Sequence, residues 1–463
     1  MHQRPANSHF ARRTKAARNL LGGVSAAVVA FSGLGAMPAA AAQAEEEHAY
    51  IVVLKDSVQD VGATAAGQWQ KYSVASSHTY RYAFKGYSGT MTPSEAANLR
   101  TDAAVEFVAA ARTFELPPTP VAVQPQAVPA WWQRVGGTTD DGAGNLPGAG
   151  GPLAGVNTAV IDSGIDSTHP DLNVRGGVDC SAGTAVPEVP IDVDGHGTGV
   201  AGIIGALDNN VGVIGTAPGT PLWSARVFAA GAIGTAEENV ICGVDWVTST
   251  RMDDDPTNDI EVANMSLGAP GTDTQHCGGG TDAYHLAVCR SVEAGVTYAV
   301  AAGNDGADFA NTVPASYDEV LTATAISDFD GLPGGLGKPQ CAGVTAPAFG
   351  FDDAAAPFSN FATQRWDRRH TVAAPGVCVL TTAPGGGVAE VHGTSQASPV
   401  IAGSVGLCIA SGTCDGGSNQ VMRQFLAATE EYNQNHPDYG FLGDPLRRIE
   451  GRHYGYLVNR ALF

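Results

Sequence analysis

Apolar and polar positions along this chain follow two patterns, and the change falls near residue 130. In the first stretch the apolar runs are short. Tyr50-Ile51-Val52-Val53-Leu54 is rich in β-branched residues and predicts a strand. Val58 to Tyr72 reads as a helix, and Tyr80 to Met91 has aromatic strand character broken by Gly86 and Gly89. Thr92-Pro93-Ser94-Glu95 is a helix start: Thr92 caps, Pro93 fits the first turn, and Glu95 closes a capping box. Val105 to Ala109 supplies a final strand. Strand, helix, two strands, helix and strand make an α+β unit of about 70 residues over roughly 45–116. Pro117, Pro118, Pro120, Pro125 and Pro129 then form an extended linker, a natural place for cleavage.

Beyond Trp131 the apolar runs lengthen and alternate with amphipathic ones. Val156 to Ile161 predicts a buried strand ending at Asp162-Ser163-Gly164, and Leu222 to Phe228, Val262 to Ser266 and Val296 to Ala302 predict three more. Thr198 to Leu207, Glu237 to Ser249 and Ala283 to Ala294 predict helices between them. Apolar strands alternating with helices imply an α/β layer with a mostly parallel sheet and helices on both faces. Near the end, a Gly-led turn, Gly393 to Pro399, runs into an apolar segment from Val400 to Leu407 that reads as a buried helix.

The first 42 residues do not belong to either pattern. Arg12 to Arg18 is basic, Leu20 to Leu34 is apolar and short, and Ala40-Ala41-Ala42 offers small residues for cleavage, as in a secretory signal. No other segment reaches about 18 uninterrupted apolar residues, so the processed protein is expected to be soluble. Net charge is −21; residues 1–44 hold five basic side chains and no acid, leaving 20 basic against 46 acidic, or −26, for the rest. Such a body repels nucleic acid and anionic lipid, which removes those partner classes. Cys180, Cys242, Cys277, Cys289, Cys341, Cys378, Cys408 and Cys414 are even in number and contain no C-x-x-C pair, which favours disulfides in an oxidising compartment over zinc. Many pairings are open. Nearness in sequence favours Cys277–Cys289 and Cys408–Cys414, and elimination then leaves Cys341–Cys378 and Cys180–Cys242.

Four polar residues sit at strand ends or helix starts. Asp162 follows a buried strand, where groups beyond the carboxyl ends of a parallel sheet build sites. His196 lies in Asp194-Gly195-His196-Gly197-Thr198-Gly199, with glycines on both sides permitting close approach. Asn304 lies in Ala301-Ala302-Gly303-Asn304-Asp305-Gly306, past another buried strand. Ser395 opens the last helix, where orphan N–H groups and the positive dipole end favour an oxyanion. Each alone is an ordinary cap, turn or core residue; the four together, in the order Asp, His, Ser, are another matter.

These motifs, with Val160-Ile161-Asp162-Ser163-Gly164-Ile165 and Gly393-Thr394-Ser395-Gln396-Ala397-Ser398-Pro399, closely resemble those of the subtilisin-like serine proteases over about Trp131 to Phe463. Residues 45–116 resemble the inhibitor-type propeptide that precedes such enzymes. The resemblance implies a signal peptide over 1–42, propeptide and linker over 43–126 and a catalytic domain over 127–463. It implies Ser395 as nucleophile, His196 as base, Asp162 as its orienting carboxylate, and Asn304 as oxyanion donor. Ser266-Leu267-Gly268 matches the family's substrate-binding strand; Gly231 to Gly234 is expected to form the opposite edge, and Ala301, Ala302 and Gly303 to leave room for a medium or large apolar side chain before the scissile bond. Calcium is the implied structural cofactor, on Asp171, Asn209 and the carbonyls of Leu207, Val211 and Val213, with no catalytic metal. The expectation is a secreted monomeric endopeptidase acting on proteins or peptides, inhibited by its own propeptide. A catalytically silent secreted binding protein with the same fold is the alternative, and the His196 motif disfavours a sedolisin-like acid peptidase. Gln396 stands where many relatives carry Met, so peroxide sensitivity is expected to be low. About 25 residues around Gly331 to Ala355 look inserted.

Overall fold

The computed structural model describes residues 45–72, 74–115, 126–137, 156–232, 234–339 and 341–463. The expected signal segment and most of the proline linker lie outside the described residues.

Residues 48–110 fold as expected, into β1 (His48–Leu54), α1 (Val61–Tyr72), β2 (Ala75–Tyr80), β3 (Gly86–Met91), α2 (Pro93–Leu99) and β4 (Val105–Ala110). The sheet is antiparallel, in the order β2-β3-β1-β4. The capping box forms: Thr92 Oγ1 accepts from Glu95 N at 3.2 Å, and Glu95 Oε2 accepts from Thr92 N at 2.8 Å. α1 begins three residues later than its apolar pattern implies, because Asp60 Oδ1 accepts the Ala63 N–H at 2.9 Å and closes that end. β2 lies further upstream than the aromatic pattern suggested, in the polar run Ala-Ser-Ser-His-Thr-Tyr, and owes its pairing to β3. The unbroken apolar run of β1 has a physical reason: both faces are covered. Val52 and Leu54 pack inside the unit, while Ile51 and Val53 pack into a core shared with the larger layer.

The tail of this unit continues as β5 (Thr113–Glu115), and α3 (Ala130–Arg134) enters the larger layer. There follow β6 (Asn157–Asp162), β7 (Val174–Asp179), β8 (Val186–Pro187), α4 (His196–Gly205), β9 (Leu222–Arg226), β10 (Gly234–Ala236) and α5 (Glu237–Thr250). Next come β11 (Ile260–Met265), β12 (Ala269–Pro270), α6 (Ala283–Glu293), β13 (Thr297–Ala301), β14 (Thr312–Val313) and β15 (Leu321–Ser327). The remainder holds α7 (Ala346–Phe349), β16 (Ala354–Ala355), β17 (Thr371–Pro375), β18 (Val379–Ala383), β19 (Gly387–Val391), α8 (Thr394–Ala410), α9 (Ser418–Asn435) and β20 (Tyr456–Leu457).

The central sheet runs β20-β17-β15-β13-β11-β6-β9-β7-β8 with β16 on β15, and its pairings are parallel except β7–β8 and β15–β16. Period-two alternation sorts the strands' side chains between two cores. Val160, Val262, Ala299 and Leu321 face α4, α8 and α9; Ile161, Ala263, Tyr298 and Val300 face α5 and α6. This matches the expected parallel layer with helices on both faces. All four expected disulfides are present: Cys180–Cys242, Cys277–Cys289, Cys341–Cys378 and Cys408–Cys414.

The inserted segment is not loose. Asp353 Oδ2 accepts the Gly334 and Gly335 N–H groups at 2.6 and 2.9 Å, and Asp352 accepts those of Phe329 and Gly337, both at 2.7 Å. Asp353 also pairs with the buried Arg134 at 2.7 Å, tying this loop to α3.

Candidate active site

Asp162 is the last residue of β6 and is fully buried. Its carboxylate bonds His196 Nδ1 at 2.8 and 3.0 Å and accepts the Ser163 N–H at 2.7 Å. His196 is the first residue of α4, entered through Gly195 at φ 108°. The approach needs its glycine neighbour: a Cβ on Gly197 would stand 2.1 Å from the Gly164 carbonyl oxygen. Asp192 secures this helix start, with Oδ1 accepting from Asp194 N at 3.0 Å and Gly195 N at 2.8 Å, and Oδ2 from Thr198 N at 2.8 Å. Burial alone would push the His196 imidazole down. The Asp162 carboxylate outweighs it, Asp194 and Asp192 add to it, and the net shift is upward. His196 Nε2 is buried and has no hydrogen-bond partner among the described residues.

Ser395 lies in the first turn of α8, behind Gly393 at φ 146°. Its Oγ donates to the Ser266 carbonyl at 3.3 Å, not to His196. The turn is held from β11's end: Ser266 Oγ donates to the Ser395 carbonyl at 2.7 Å, Asn264 Nδ2 donates to Ser266 Oγ at 3.0 Å, and Ser398 Oγ donates to Asn264 Oδ1 at 2.7 Å. Pro399, inside α8, has no N–H to offer the carbonyl four residues back. That carbonyl belongs to Ser395, and it is therefore free for Ser266.

Asn304 follows β13. Its Oδ1 accepts from Thr394 N at 2.8 Å and Thr394 Oγ1 at 3.0 Å, which leaves its exposed amide NH₂ as a free donor beside the start of α8. Asn360 props this loop from behind, accepting the Asp305 and Ala307 N–H groups at 3.0 and 2.9 Å and donating to the Ala302 carbonyl at 3.0 Å. Ser266, Leu267, Gly268, Gly303, Asn304 and Ser395 line one groove of about 570 Å³. Of the three small residues expected to open the pocket, Ala301 and Gly303 line the groove, while Ala302 is fully buried. Gly234 lies on β10, which pairs antiparallel with β5 in the register Gly234↔Glu115, Thr235↔Phe114 and Ala236↔Thr113.

Of the residues expected to hold calcium, Asp171, Leu207, Asn209 and Val213 are linked through hydrogen bonds. Asp171 is buried; Oδ1 accepts from Asn209 Nδ2 at 2.8 Å and Oδ2 from Val213 N at 2.9 Å, and burial raises its pKa to about 7. Gly212 must be glycine there, since a Cβ would stand 2.2 Å from Asp171 Oδ2. Gln126 Nε2 reaches the carbonyls of Leu207 and Val213 at 3.2 and 3.4 Å. Asn209 Oδ1 accepts from Val211 N at 2.7 Å. Asp171 and the carbonyls of Leu207 and Val213, which both face Gln126 Nε2, are hard oxygen donors of the kind calcium takes, whereas Asn209 turns its amide nitrogen to Asp171 and its oxygen to the Val211 N–H.

Asn360, Asp192, the Asn264–Ser398 pair and Gln126 escaped the sequence reading. The partners that define these roles are 53 to 134 residues away, except for Asp192, whose place just before a helix start was a visible capping signal.

Residues 154–442 match the model of the subtilase family, and residues 49–116 match that of the peptidase inhibitor I9. Subtilisin E of Bacillus subtilis is 33% identical over 288 residues, covering 62% of this chain and 63% of the relative. The chain thus matches under two thirds of that relative's length. Subtilisin of Bacillus pumilus is 33% identical over 280 residues, covering 60% of this chain and 84% of the relative. The fold also resembles the crystal structure of the epidermin leader peptide processing serine protease from Staphylococcus aureus, with a TM-score of 0.60 and 20% identity over 90% of this chain and 98% of that one. Family models that cover the Asp162, His196, Asn304 and Ser395 segments and the α+β unit ahead of them lead to one conclusion: this chain belongs to the subtilase family and carries an I9-type segment before its catalytic layer.

Proposed function

We propose that the protein is a secreted serine endopeptidase, made as a precursor and released from inhibition by cutting within 116–130. The observation that carries the reading is the His196–Asp162 pair, with Nε2 unpartnered and Ser395 at a helix start beside the Asn304 amide. Ser395 Oγ is too weak an acid to ionise near neutrality and needs a base. Attack requires Oγ to leave the Ser266 carbonyl, which it bonds at 3.3 Å, and to hand its proton to His196 Nε2, which is unpartnered among the described residues. His196 then accepts the proton as Oγ attacks the scissile carbonyl, and returns it to the leaving amine. Asp162 holds Nδ1–H and stabilises the imidazolium. The Ser395 N–H, orphaned at the start of α8, and the Asn304 NH₂ receive the oxyanion. A substrate strand would lie along β10 and Ser266–Gly268, as β5 now does on β10. The groove floor of Ala301 and Gly303 leaves room for an apolar side chain before the scissile bond.

Asp171, Asn209 and the carbonyls of Leu207, Val211 and Val213 would hold calcium, which would supply charge compensation for a buried carboxylate and pin the 207–213 loop. Four disulfides and the basic-then-apolar first 42 residues support export. No helix among the described residues is long and apolar enough to cross a membrane. The Ser395→Ala variant is expected to hydrolyse no casein and to keep its 45–115 unit attached; normal processing of that variant would overturn the self-cleavage step.

A further inference from the structure

The segment leaving the α+β unit reaches β10 as an extended strand, and two residues before Phe114 it carries Arg112. The Arg112 N–H donates to Glu237 Oε2 at 3.0 Å, and Nε donates to the same oxygen. Nη2 donates to Asp282 Oδ1 at 2.7 Å and approaches Tyr317 Oη at 3.3 Å. The guanidinium stands 5.6 Å from the centre of the Tyr284 ring. Gly271 makes room, since a Cβ there would lie 2.8 Å from Nη1. Phe114 is fully buried, edge-on to Tyr284 at 5.2 Å. Glu237 is the first residue of α5, which fixes its backbone independently of Arg112, and Asp282 caps α6, accepting the His285 N–H at 2.9 Å. The arginine belongs to the part that leaves, and the acids belong to the part that stays.

We propose that Glu237 and Asp282 form an acidic subsite that selects a basic side chain, Arg above Lys, two residues N-terminal to a large apolar residue in protein substrates. This rests on the peptidase reading above. The preference for Arg follows from geometry: the two carboxylates take separate nitrogens, Nε and Nη2, of one planar guanidinium, a spread of donors that a point-like ammonium cannot reproduce. Phe114 and Arg112 therefore serve as the first occupants of paired apolar and acidic subsites, which exogenous chains would fill once the tail has gone.

The test uses the full chain after self-processing and three fluorogenic peptides with one common apolar sequence after the phenylalanine. They carry Arg-Thr-Phe, Ala-Thr-Phe and the isomer Thr-Arg-Phe, whose equal charge controls for general attraction to an acidic protein. The expected kcat/KM for Arg-Thr-Phe exceeds both others by about tenfold, and the Glu237→Gln/Asp282→Asn double variant brings the ratio close to unity. Equal rates for Arg-Thr-Phe and Thr-Arg-Phe on the unmutated enzyme overturn the subsite and leave the peptidase reading standing. Failure to cleave any of the three, or casein, overturns both.

Discussion

At the scale of single residues, the site depends on where each polar atom is already committed. Asn304 spends its oxygen on Thr394, so its NH₂ is the group left to meet an oxyanion. Asn304→Leu is expected to lower kcat by about 10²–10³ with little change in KM, a magnitude carried over from a subtilisin and not obtained from this geometry. Unchanged turnover would remove Asn304 from the site. In the proposed mechanism His196 is the base, a role open to it only when neutral, and its pKa is raised above the ordinary 6.5. The acid limb of the kcat/KM profile is therefore expected above pH 6.5, and Asp194→Asn is expected to move it toward lower pH by a few tenths of a unit. An unmoved limb would contradict the role of Asp194. The sign for stability is opposite. The charged His196–Asp162 pair contributes fully below the unfolded-state pKa, and this contribution is lost as pH rises through the folded one. The four candidate residues stand out in the sequence because their motifs are local. Asn360 and Arg112 do not: what each does is set by partners up to 58 and 205 residues away, and no local pattern marks them.

At the scale of elements, helix and strand ends carry the chemistry. α8 starts at Thr394, several residues before the apolar run that announced it, because Thr394 and Ser395 are satisfied by Asn304 and Ser266 instead of by hydrophobic packing. Pro399 is part of that arrangement. Pro399→Ala restores an N–H that competes with Ser266 for the Ser395 carbonyl, and it removes an interior helix proline. The melting temperature is expected to hold or rise while kcat falls; a loss of both together would contradict this account. The α+β unit was legible from its capping box and from β1, yet the reason β1 is apolar throughout is a second packed face that only the assembled molecule has. β2 was displaced in the sequence reading because its polar residues carry no strand signal of their own.

At the scale of the whole molecule, the 45–115 unit, the catalytic layer and the 207–213 loop form one folding problem. Asp171 is buried with a pKa raised to about 7. Without a cation the fold then binds its proton more tightly than the unfolded chain does, so this residue lowers stability progressively as pH climbs from about 4 to 7. Bound calcium, by favouring the ionised carboxylate, removes that dependence. EDTA is expected to lower the melting temperature, and to do so more at pH 8 than at pH 5; indifference at both would argue against the cation. The central claim is that Asp162, His196 and Ser395 act together on one acyl group. The most direct measurement is reaction of the self-processed protein with a fluorophosphonate, followed by peptide mass spectrometry. The account predicts a single adduct on Ser395, abolished in His196→Ala; an enzyme that hydrolyses casein while Ser395 stays unmodified would contradict it.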